Sequence, residues 1–517
     1  MARHAAVRFV RRLHAGVLRR RLERNGVSRG EFLAGLSASL IPLPRWGGAL
    51  PMRLRESPRI VLVGAGVAGL TCAYRLHQAG VTSSVYEANS RIGGRTWTLR
   101  GFFRDGQYAE HGGQLIASSQ HAVRDLAAEL GLELTDLNRL YPFDAADRYL
   151  VDGNPYSVDE AIDDYDRYVY APLARDARAA GYPTTFYRHT AAGVALDRMS
   201  VDDWLDRNVP GGTSAKISVL VGIACKSEYG METSVQSALN LIYLLAGERR
   251  GRLNLSGTGE DDRFTIAGGN DQLASVMASR LPAGTIATGM QLEALKKRTE
   301  GSYSCTFSSN GAARAVVADI VVLGIPFTVL RRVDLRGAAF SARKRAAIAS
   351  LDLGSNAKVH LQFTSPYWFG EHSSGTAYGN TAFEDTWDTS IGQRGRAATI
   401  VCFLGGDAGA RFTGPVHGMA PAAAARRYVA SLEPVLSGAQ HAFNGLAYQD
   451  FWIGDPYTHG SYSSYKVGQY TSLAGVEPLP EGNVHFCGEQ TSYEWQGYIN
   501  GAVVSGERAA REILRSL

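Results

Sequence analysis

Three glycines with a fixed spacing, Gly64, Gly66 and Gly69, join an apolar strand-like run to a helical pattern. In that setting the first glycine makes a tight turn, the second lets the backbone approach a pyrophosphate, and the third allows helix and strand to pack closely. The unpaired N–H groups at the start of the helix would face the phosphates. Glu87 ends the next strand-like run, where an acid accepts a hydrogen bond from a ribose hydroxyl and argues against a 2′-phosphate. The pattern predicts a dinucleotide-binding turn.

Residues 483–502, near the other end of the chain, form a segment that a nicotinamide enzyme does not require. Between the two ends lie two Gly-Gly turns, Arg-Ile-Gly-Gly-Arg at 91–95 and Glu-His-Gly-Gly-Gln at 110–114. Through this ordered set of four motifs the chain resembles the flavin-dependent monoamine oxidase family, which also includes polyamine and L-amino acid oxidases. The resemblance runs from about Arg59 to Leu517. It implies an FAD enzyme that oxidises an amine to an imine and reduces oxygen to hydrogen peroxide.

The resemblance also assigns contacts to the cofactor. It puts the turn at 93–95 near the pyrophosphate, Glu489 near the ribityl chain, and the start of the last helix at the N1–C2 edge, where the helix dipole would stabilise negative charge. Ser464 stands where mammalian monoamine oxidases carry the cysteine that binds flavin covalently, so noncovalent FAD is expected. Beyond the first glycine turn and Glu87, the residues implied to bind FAD are Arg91, Gly93, Gly94, Arg95, Gly112, Gly113, Gln114, Leu292, Gly488, Glu489 and Ile499.

Three side chains are candidates for catalysis. Lys358 opens an alternating strand-like run and matches the family's lysine that reaches the flavin N5 through a water. A fixed ammonium there would stabilise negative charge as electrons pass to oxygen. Tyr465 and Tyr498 match the two tyrosines of the family's aromatic cage, whose ring faces would align an amine on N5.

The residues that follow Gly113 bear on the substrate. L-amino acid oxidases commonly place an arginine here, which grips the substrate carboxylate as a bidentate fork. This chain has Gln114, Leu115 and Ile116 instead, which favours amines without an α-carboxylate. Another arginine from elsewhere could still take that role, so an L-amino acid oxidase is the nearest alternative. A flavin desaturase and a catalytically silent flavoprotein are weaker alternatives, because neither explains the lysine together with two tyrosines.

The elements that must position these residues belong to an α/β fold. A chain of 517 residues is too long for one hydrophobic core. We expect a discontinuous Rossmann-type FAD-binding domain made of residues 55–133, 262–335 and 450–517, and an α+β substrate-binding domain made of residues 134–261 and 336–449. The first insertion has helical periodicity, and the second alternates at 357–363, where Val359, Leu361 and Phe363 share one strand face.

The net charge of +5 is unevenly distributed. Residues 1–54 hold eleven arginines against Glu23 and Glu31, a net charge of +9, so the remainder carries −4. This excludes nucleic-acid binding as the meaning of the basic pI. The arm is either a basic segment that touches a membrane surface or a second subunit of a homodimer, or a degenerate twin-arginine signal in which Gly30 replaces the second arginine. We expect a cytoplasmic, membrane-peripheral protein, with export as the alternative.

Five scattered cysteines form no CxxC pair, and no histidines cluster at ligand spacing. We therefore expect buried free thiols, no disulfide framework and no metal site.

Overall fold

The structure is a computed structural model that describes residues 58–246 and 261–517. The basic arm, residues 1–54, lies outside the described residues, as does the stretch 247–260 of the first insertion. The chain has a mixed α/β fold. In chain order the strands are β1 (Ile60–Val63), β2 (Ser84–Tyr86), β3 (Thr98–Leu99), β4 (Ala109–Glu110), β5 (Leu134–Asp136), β6 (Ala146–Val151), β7 (Asn154–Pro155), β8 (Phe264–Ile266), β9 (Ile286–Ala287), β10 (Gln291–Lys297), β11 (Tyr303–Ser309), β12 (Ala312–Ala318), β13 (Ile320–Leu323), β14 (Asp352–Leu353), β15 (Ala357–Phe363), β16 (Ser373–Gly379), β17 (Asp385–Asp388), β18 (Ala398–Leu404), β19 (His417–Met419), β20 (Phe443–Phe451), β21 (Ser463–Ser464) and β22 (Val484–Phe486).

The helices lie between these strands and around the two larger sheets. In chain order they are α1 (Val67–Gln78), α2 (His121–Leu130), α3 (Val158–Asp164), α4 (Tyr170–Ala180), α5 (Ala191–Asp197), α6 (Val201–Asn208), α7 (Lys216–Tyr229), α8 (Ala238–Ala246), α9 (Gln272–Ser279), α10 (Phe327–Leu330), α11 (Ala342–Ser350), α12 (Gly406–Ala410), α13 (Ala422–Leu432), α14 (Ala439–Ala442), α15 (Gln469–Ser472) and α16 (Ile499–Ser516).

A five-stranded parallel sheet has the strand order β22-β13-β1-β2-β9. Strands β1 and β13 are buried along their whole length, which explains why they read as continuous apolar runs rather than as alternating ones. Helices α1 and α16 pack so closely that a Cβ atom on Gly506 would lie 2.3 Å from the carbonyl oxygen of Ala68. Strands far apart in sequence therefore meet in one sheet.

An eight-stranded mixed sheet has the order β19-β20-β15-β18-β17-β16-β6-β7. One face of β15 packs Val359, Leu361 and Phe363 into an apolar cluster, as the alternation predicts. The opposite face carries Lys358 and His360, and it is buried as well. A polar strand face sealed from water is unusual, because each buried polar group needs a partner.

Helices α3–α8 and the neighbouring face of this sheet share a second apolar core that includes Trp204, Tyr378 and Trp387. This agrees with the helical periodicity of the first insertion. Strand β20 runs through the expected domain boundary at residue 450; the domain boundaries themselves stay a prediction. All five cysteines are free and buried, as expected. Within residues 58–246 and 261–517, no helix has the length and apolar character that a membrane crossing requires.

Candidate active site

The glycine turn after β1 has the geometry that its sequence predicts. Gly64 has a φ of 101°, and a Cβ atom there would lie 2.8 Å from the carbonyl oxygen of Gly324. A Cβ atom on Gly69 would lie 2.0 Å from the carbonyl oxygen of Gly64, so only glycine allows this approach of helix to strand. Around Gly66, the residue before α1, no atom lies within 4 Å of such a Cβ. The free space at this helix N-terminus fits a pyrophosphate.

A cavity opens at the carboxyl ends of β1, β13 and β22, the edge at which parallel α/β sheets bind ligands. Most residues expected to bind FAD lie on its wall. They are Gly64, Gly66, Glu87, Arg91, Gly93, Gly94, Arg95, Gly113, Leu292, Gly488, Glu489 and Ile499. The wall combines the open glycine turn, which suits a pyrophosphate, with Glu87, the acid expected to bind a ribose. Its residues therefore fit FAD.

Glu87 and Arg91 are held from behind, so their positions do not depend on a ligand. The Glu87 carboxylate accepts hydrogen bonds from the backbone N–H groups of Ala65 at 2.7 Å and Asn89 at 2.8 Å. Burial raises the pKa of Glu87. The Arg91 guanidinium donates to the carbonyl oxygen of Gly94 at 2.7 Å and lies over the ring of Trp97. Both side chains are therefore fixed before a cofactor arrives.

At the other end of the cavity, Arg95 and Glu489 form an ion pair at 2.9 Å. Glu489 also accepts from the Ser463 hydroxyl at 2.7 Å and from the backbone of Gly497, which ties together the two chain segments that carry Tyr465 and Tyr498. Helix α16 begins at Ile499 without a side-chain cap. The free N–H groups of this helix and the positive end of its dipole lie at the cavity wall.

The sequence analysis did not predict several residues that line the cavity. The loop after β20 contributes Asp455, Tyr457 and Tyr462, and the segment after β13 contributes Ile325 and Pro326. The buried run at β13 followed by Gly-Ile-Pro was a usable signal, since ligands bind at the carboxyl ends of parallel strands. The loop after β20 carried no comparable signal.

Five of the expected site residues do not line this cavity: Gly69, Gly112, Gln114, Lys358 and Tyr465. Gly69 acts through backbone packing, as described above. The Gln114 side-chain oxygen accepts a hydrogen bond from the indole N–H of Trp387 at 3.1 Å. The Gly112 carbonyl accepts from Lys358. Tyr465 packs in an apolar core cluster, where its hydroxyl contacts Glu477 and Gln496.

Lys358 is buried, and its Nζ donates to the carbonyl oxygens of Glu110 and Gly112, both at 2.8 Å. Burial lowers the pKa of Lys358 to about 8. The ammonium is therefore the main form at neutral pH, but it is close to titrating. A lysine at the solvent edge would have neither property.

Tyr465 and Tyr498 are both buried. Tyr465 donates its hydroxyl to Glu477 at 2.9 Å and accepts from the Gln496 amide at 2.8 Å. The hydroxyl of Tyr498 lies 3.4 Å from a carboxylate oxygen of Glu228, which is itself buried. Burial raises the pKa of Glu477 to about 7. A carboxyl group therefore lies next to each tyrosine hydroxyl.

Three potential metal ligands come together beside Lys358: His111, His417 and Asp450, with candidate ligand atoms within 4.8 Å of one another. They come from three distant chain segments, so no sequence spacing reveals them. Oδ1 of Asp450 lies 2.6 Å from Nδ1 of His111 and 2.7 Å from Nδ1 of His417. These are hydrogen-bond lengths, and the absence of a metal stays a prediction.

Comparison with known proteins identifies the class. The family model described as flavin containing amine oxidoreductase matches residues 67–514. Amine oxidase (flavin-containing) A of Bos taurus is 26% identical over 484 residues, covering 89% of this chain and 85% of the relative. The human amine oxidase (flavin-containing) B is 25% identical over 489 residues, covering 89% and 86%.

Solved structures agree on the fold. Putrescine oxidase bound to putrescine superposes with a TM-score of 0.74 at 23% identity, and cyclohexylamine oxidase from Brevibacterium oxydans IH-35A with 0.75 at 22%. Each likeness covers 89% of this chain and 99% of the other. The chain belongs to the flavin-containing amine oxidoreductase family. It is an FAD-dependent amine oxidase, which oxidises a small-molecule amine with oxygen and forms hydrogen peroxide.

Proposed function

We propose that this amine oxidase acts on amines without an α-carboxylate. The observation that carries the proposal is the buried acid Glu228, whose carboxyl oxygen lies 3.4 Å from the hydroxyl of Tyr498 on the cavity wall. An acid in this position repels a carboxylate. An L-amino acid oxidase needs the opposite charge here, since its substrate carboxylate must be paired when it is buried.

The size of this discrimination follows from Coulomb's law. Two like charges about 6 Å apart repel by about 3 kcal/mol at an effective dielectric constant of about 20. That corresponds to about a hundredfold difference in affinity, before the desolvation of an unpaired carboxylate is added.

The residues divide the work as follows. When bound, FAD accepts the hydride equivalents of the amine and passes them to oxygen. The ring face of Tyr498, which lines the cavity, aligns the amine, and burial favours the neutral form of the amine, so no side chain needs to act as a strong base. Lys358 supplies a fixed positive charge that stabilises the negative charge passing to oxygen.

We also propose that FAD is bound noncovalently, because a serine hydroxyl at Ser464 cannot form the thioether link. The supporting architecture is a discontinuous Rossmann-type FAD-binding domain with an α+β substrate-binding domain. The five-stranded parallel sheet supports it, since its strands come only from residues 55–133, 262–335 and 450–517. Gly66 and Glu87 would hold the two ends of the pyrophosphate–ribose unit.

For the cellular setting we propose a cytoplasmic protein that touches membranes through its basic arm. The charge of +9 in residues 1–54 supports it, because anionic lipid attracts arginine-rich segments. Fractionation of cells distinguishes the outcomes: full-length protein in the cytosolic and membrane-peripheral fractions is expected, and a shortened periplasmic form would indicate export. Homodimer formation is tested by gel filtration with light scattering.

A peroxide-release assay tests the substrate class. Purified enzyme is supplied with amines and with their parent amino acids, for example 2-phenylethylamine against phenylalanine, and kcat/KM is measured for each. We expect each amine to be oxidised at least a hundredfold more efficiently than its parent acid. Efficient oxidation of amino acids, with the matching amines inactive, would establish the L-amino acid oxidase instead.

A further inference from the structure

Three charged or ionisable side chains lie in a row across neighbouring strands next to the cofactor cavity. Lys358 on β15 is the direct cross-strand partner of Asp450 on β20, and Asp450 is in turn the partner of His417 on β19. Directly opposite residues of an antiparallel pair project from the same face with Cβ atoms about 5 Å apart. Lys358 and Asp450 are fully buried, so water does not screen them from each other.

Asp450 is held in its ionised form. His111 and His417 both place a ring nitrogen on its Oδ1, and Nε2 of His360 lies 3.6 Å from its Oδ2. Burial alone would raise the pKa of Asp450, but these imidazoles hold it well below its usual range. The side chain is therefore ionised at neutral pH.

The other groups that face Lys358 do not supply such an anion. Burial raises the pKa of Glu110 to about 8, so this acid is mainly neutral at pH 7. Burial lowers the pKa of His360, on the same strand as Lys358, to about 4, so this imidazole is neutral too. The ring of Trp387 lies 5.6 Å from Nζ, and the direct hydrogen-bond partners of Nζ are carbonyl oxygens. Asp450 is the acid in this group that stays charged.

The row continues to the wall of the cofactor cavity. Nε2 of His417 lies 3.1 Å from Oδ2 of Asp455, which lines that cavity. Although burial alone would lower it, hydrogen bonds to Asp450 and Asp455 raise the pKa of His417 to about 9. The charges thus alternate along the row as Lys358 positive, Asp450 negative, His417 positive and Asp455 negative. This alternation balances the charge without a metal ion.

We propose that Asp450 is the counter-ion of Lys358, a positioning residue that keeps the lysine ammonium charged beside the flavin. His417 contacts both Asp450 and Asp455, and so it links Asp450 to the cavity wall. This inference rests on the role of Lys358 given under Proposed function. The carboxylate does not touch the reacting atoms. It acts through Lys358, so its loss should change a protonation equilibrium as well as a rate.

The test compares three variants of the holoenzyme. Asp450→Asn removes the anion at nearly constant shape, and His417→Gln removes the cation on its far side. Asp388→Asn is the matched control: this buried carboxylate on β17 of the same sheet accepts hydrogen bonds from the Ser390 backbone and hydroxyl, so it is held by its own loop rather than by Asp450 or His417. Two quantities are titrated against pH: the rate of flavin reoxidation by oxygen, and the visible absorption of bound oxidised FAD without substrate.

Because Lys358 is charged below its pKa and neutral above it, the wild-type midpoint is expected near pH 8 in both titrations. Removing the anion favours the neutral amine, so Asp450→Asn should move both midpoints down by at least one pH unit. Removing the cation should move them up in His417→Gln. Asp388→Asn should leave them unchanged.

Unchanged midpoints in Asp450→Asn, or a downward shift in His417→Gln, would overturn the proposal. If Asp450→Asn does not fold or retain FAD, the sign of the His417→Gln shift still decides. A stoichiometric metal ion in the purified wild-type enzyme would also overturn it, since the cation beside Asp450 would then be the metal. Lys358→Met distinguishes a failure of the Asp450 proposal from a failure of the proposed role of Lys358. If midpoints near pH 8 persist in this variant, the role of Lys358 itself is refuted.

Discussion

Replacement of Lys358 by methionine removes one positive charge and keeps a side chain of similar length. The Nζ atom of Lys358 is the donor to two carbonyl oxygens, those of Glu110 and Gly112. The variant therefore loses both a fixed charge and two hydrogen bonds. The first loss should appear in the reaction with oxygen, and the second in stability.

The two effects differ in size. Removing one preorganised electrostatic group from a catalytic site costs about 3–4 kcal/mol in the transition state that it stabilises, or a factor of roughly 10²–10³. We expect that factor in the rate of flavin reoxidation and less than about fivefold in the rate of anaerobic reduction by substrate. Stability should fall by about 1–3 kcal/mol, because two buried carbonyls lose their donor while a buried cation is removed.

Stopped-flow spectroscopy measures both half-reactions at pH 7, and thermal unfolding of the holoenzyme measures the stability. Lys344→Met is the matched control, because Lys344 is also buried and donates to three carbonyl oxygens, and its pKa is likewise lowered by burial, to about 7. The control should lose stability but keep the wild-type ratio between the two half-reactions. Equal slowing of both half-reactions in Lys358→Met would refute the electrostatic role.

Four further outcomes follow from the site. Acid or heat precipitation should release all FAD into the supernatant, because Ser464 offers no thioether, and flavin that stays with the protein would contradict this. Tyr498→Phe should change kcat/KM by less than about threefold and Tyr498→Ala by more than about tenfold, since aromatic faces and not the hydroxyl align the amine. Gly69→Ala should prevent folding or lower the midpoint of thermal unfolding strongly, because the new Cβ would lie 2.0 Å from a carbonyl oxygen. Gly66→Ala, which meets no atom within 4 Å, should keep apoprotein stability to within about 1 kcal/mol and weaken FAD binding in a fluorescence titration.

The glycine turn and the cofactor cavity were predictable because their chemistry is local. Gly64, Gly66 and Gly69 are close in sequence, and each follows from a backbone requirement that no other residue meets. The alternation at 357–363 likewise predicted strand β15 and its apolar face. What it did not predict is that the polar face is buried too, because that depends on a second chain segment packing over it.

The ionic row at Lys358 shows what the sequence leaves open. His111, Asp450 and His417 are separated by long stretches of chain and meet only when the turn after β4 packs against β20 and β19. Glu228 is a similar case, since nothing near it in sequence marks it as the neighbour of Tyr498. Partners of this kind are fixed by tertiary contacts rather than by local patterns.

We propose that a buried acid selects amines over amino acids. The most direct test is the ratio of kcat/KM for an amine to kcat/KM for its parent amino acid, measured in wild type and in Glu228→Gln. The predicted wild-type ratio is above about 100, which corresponds to a repulsion of about 3 kcal/mol between like charges in the site. In Glu228→Gln the ratio should fall at least tenfold, mainly because the amino acid is tolerated better. A wild-type ratio below one, or a ratio that Glu228→Gln leaves unchanged, would contradict it.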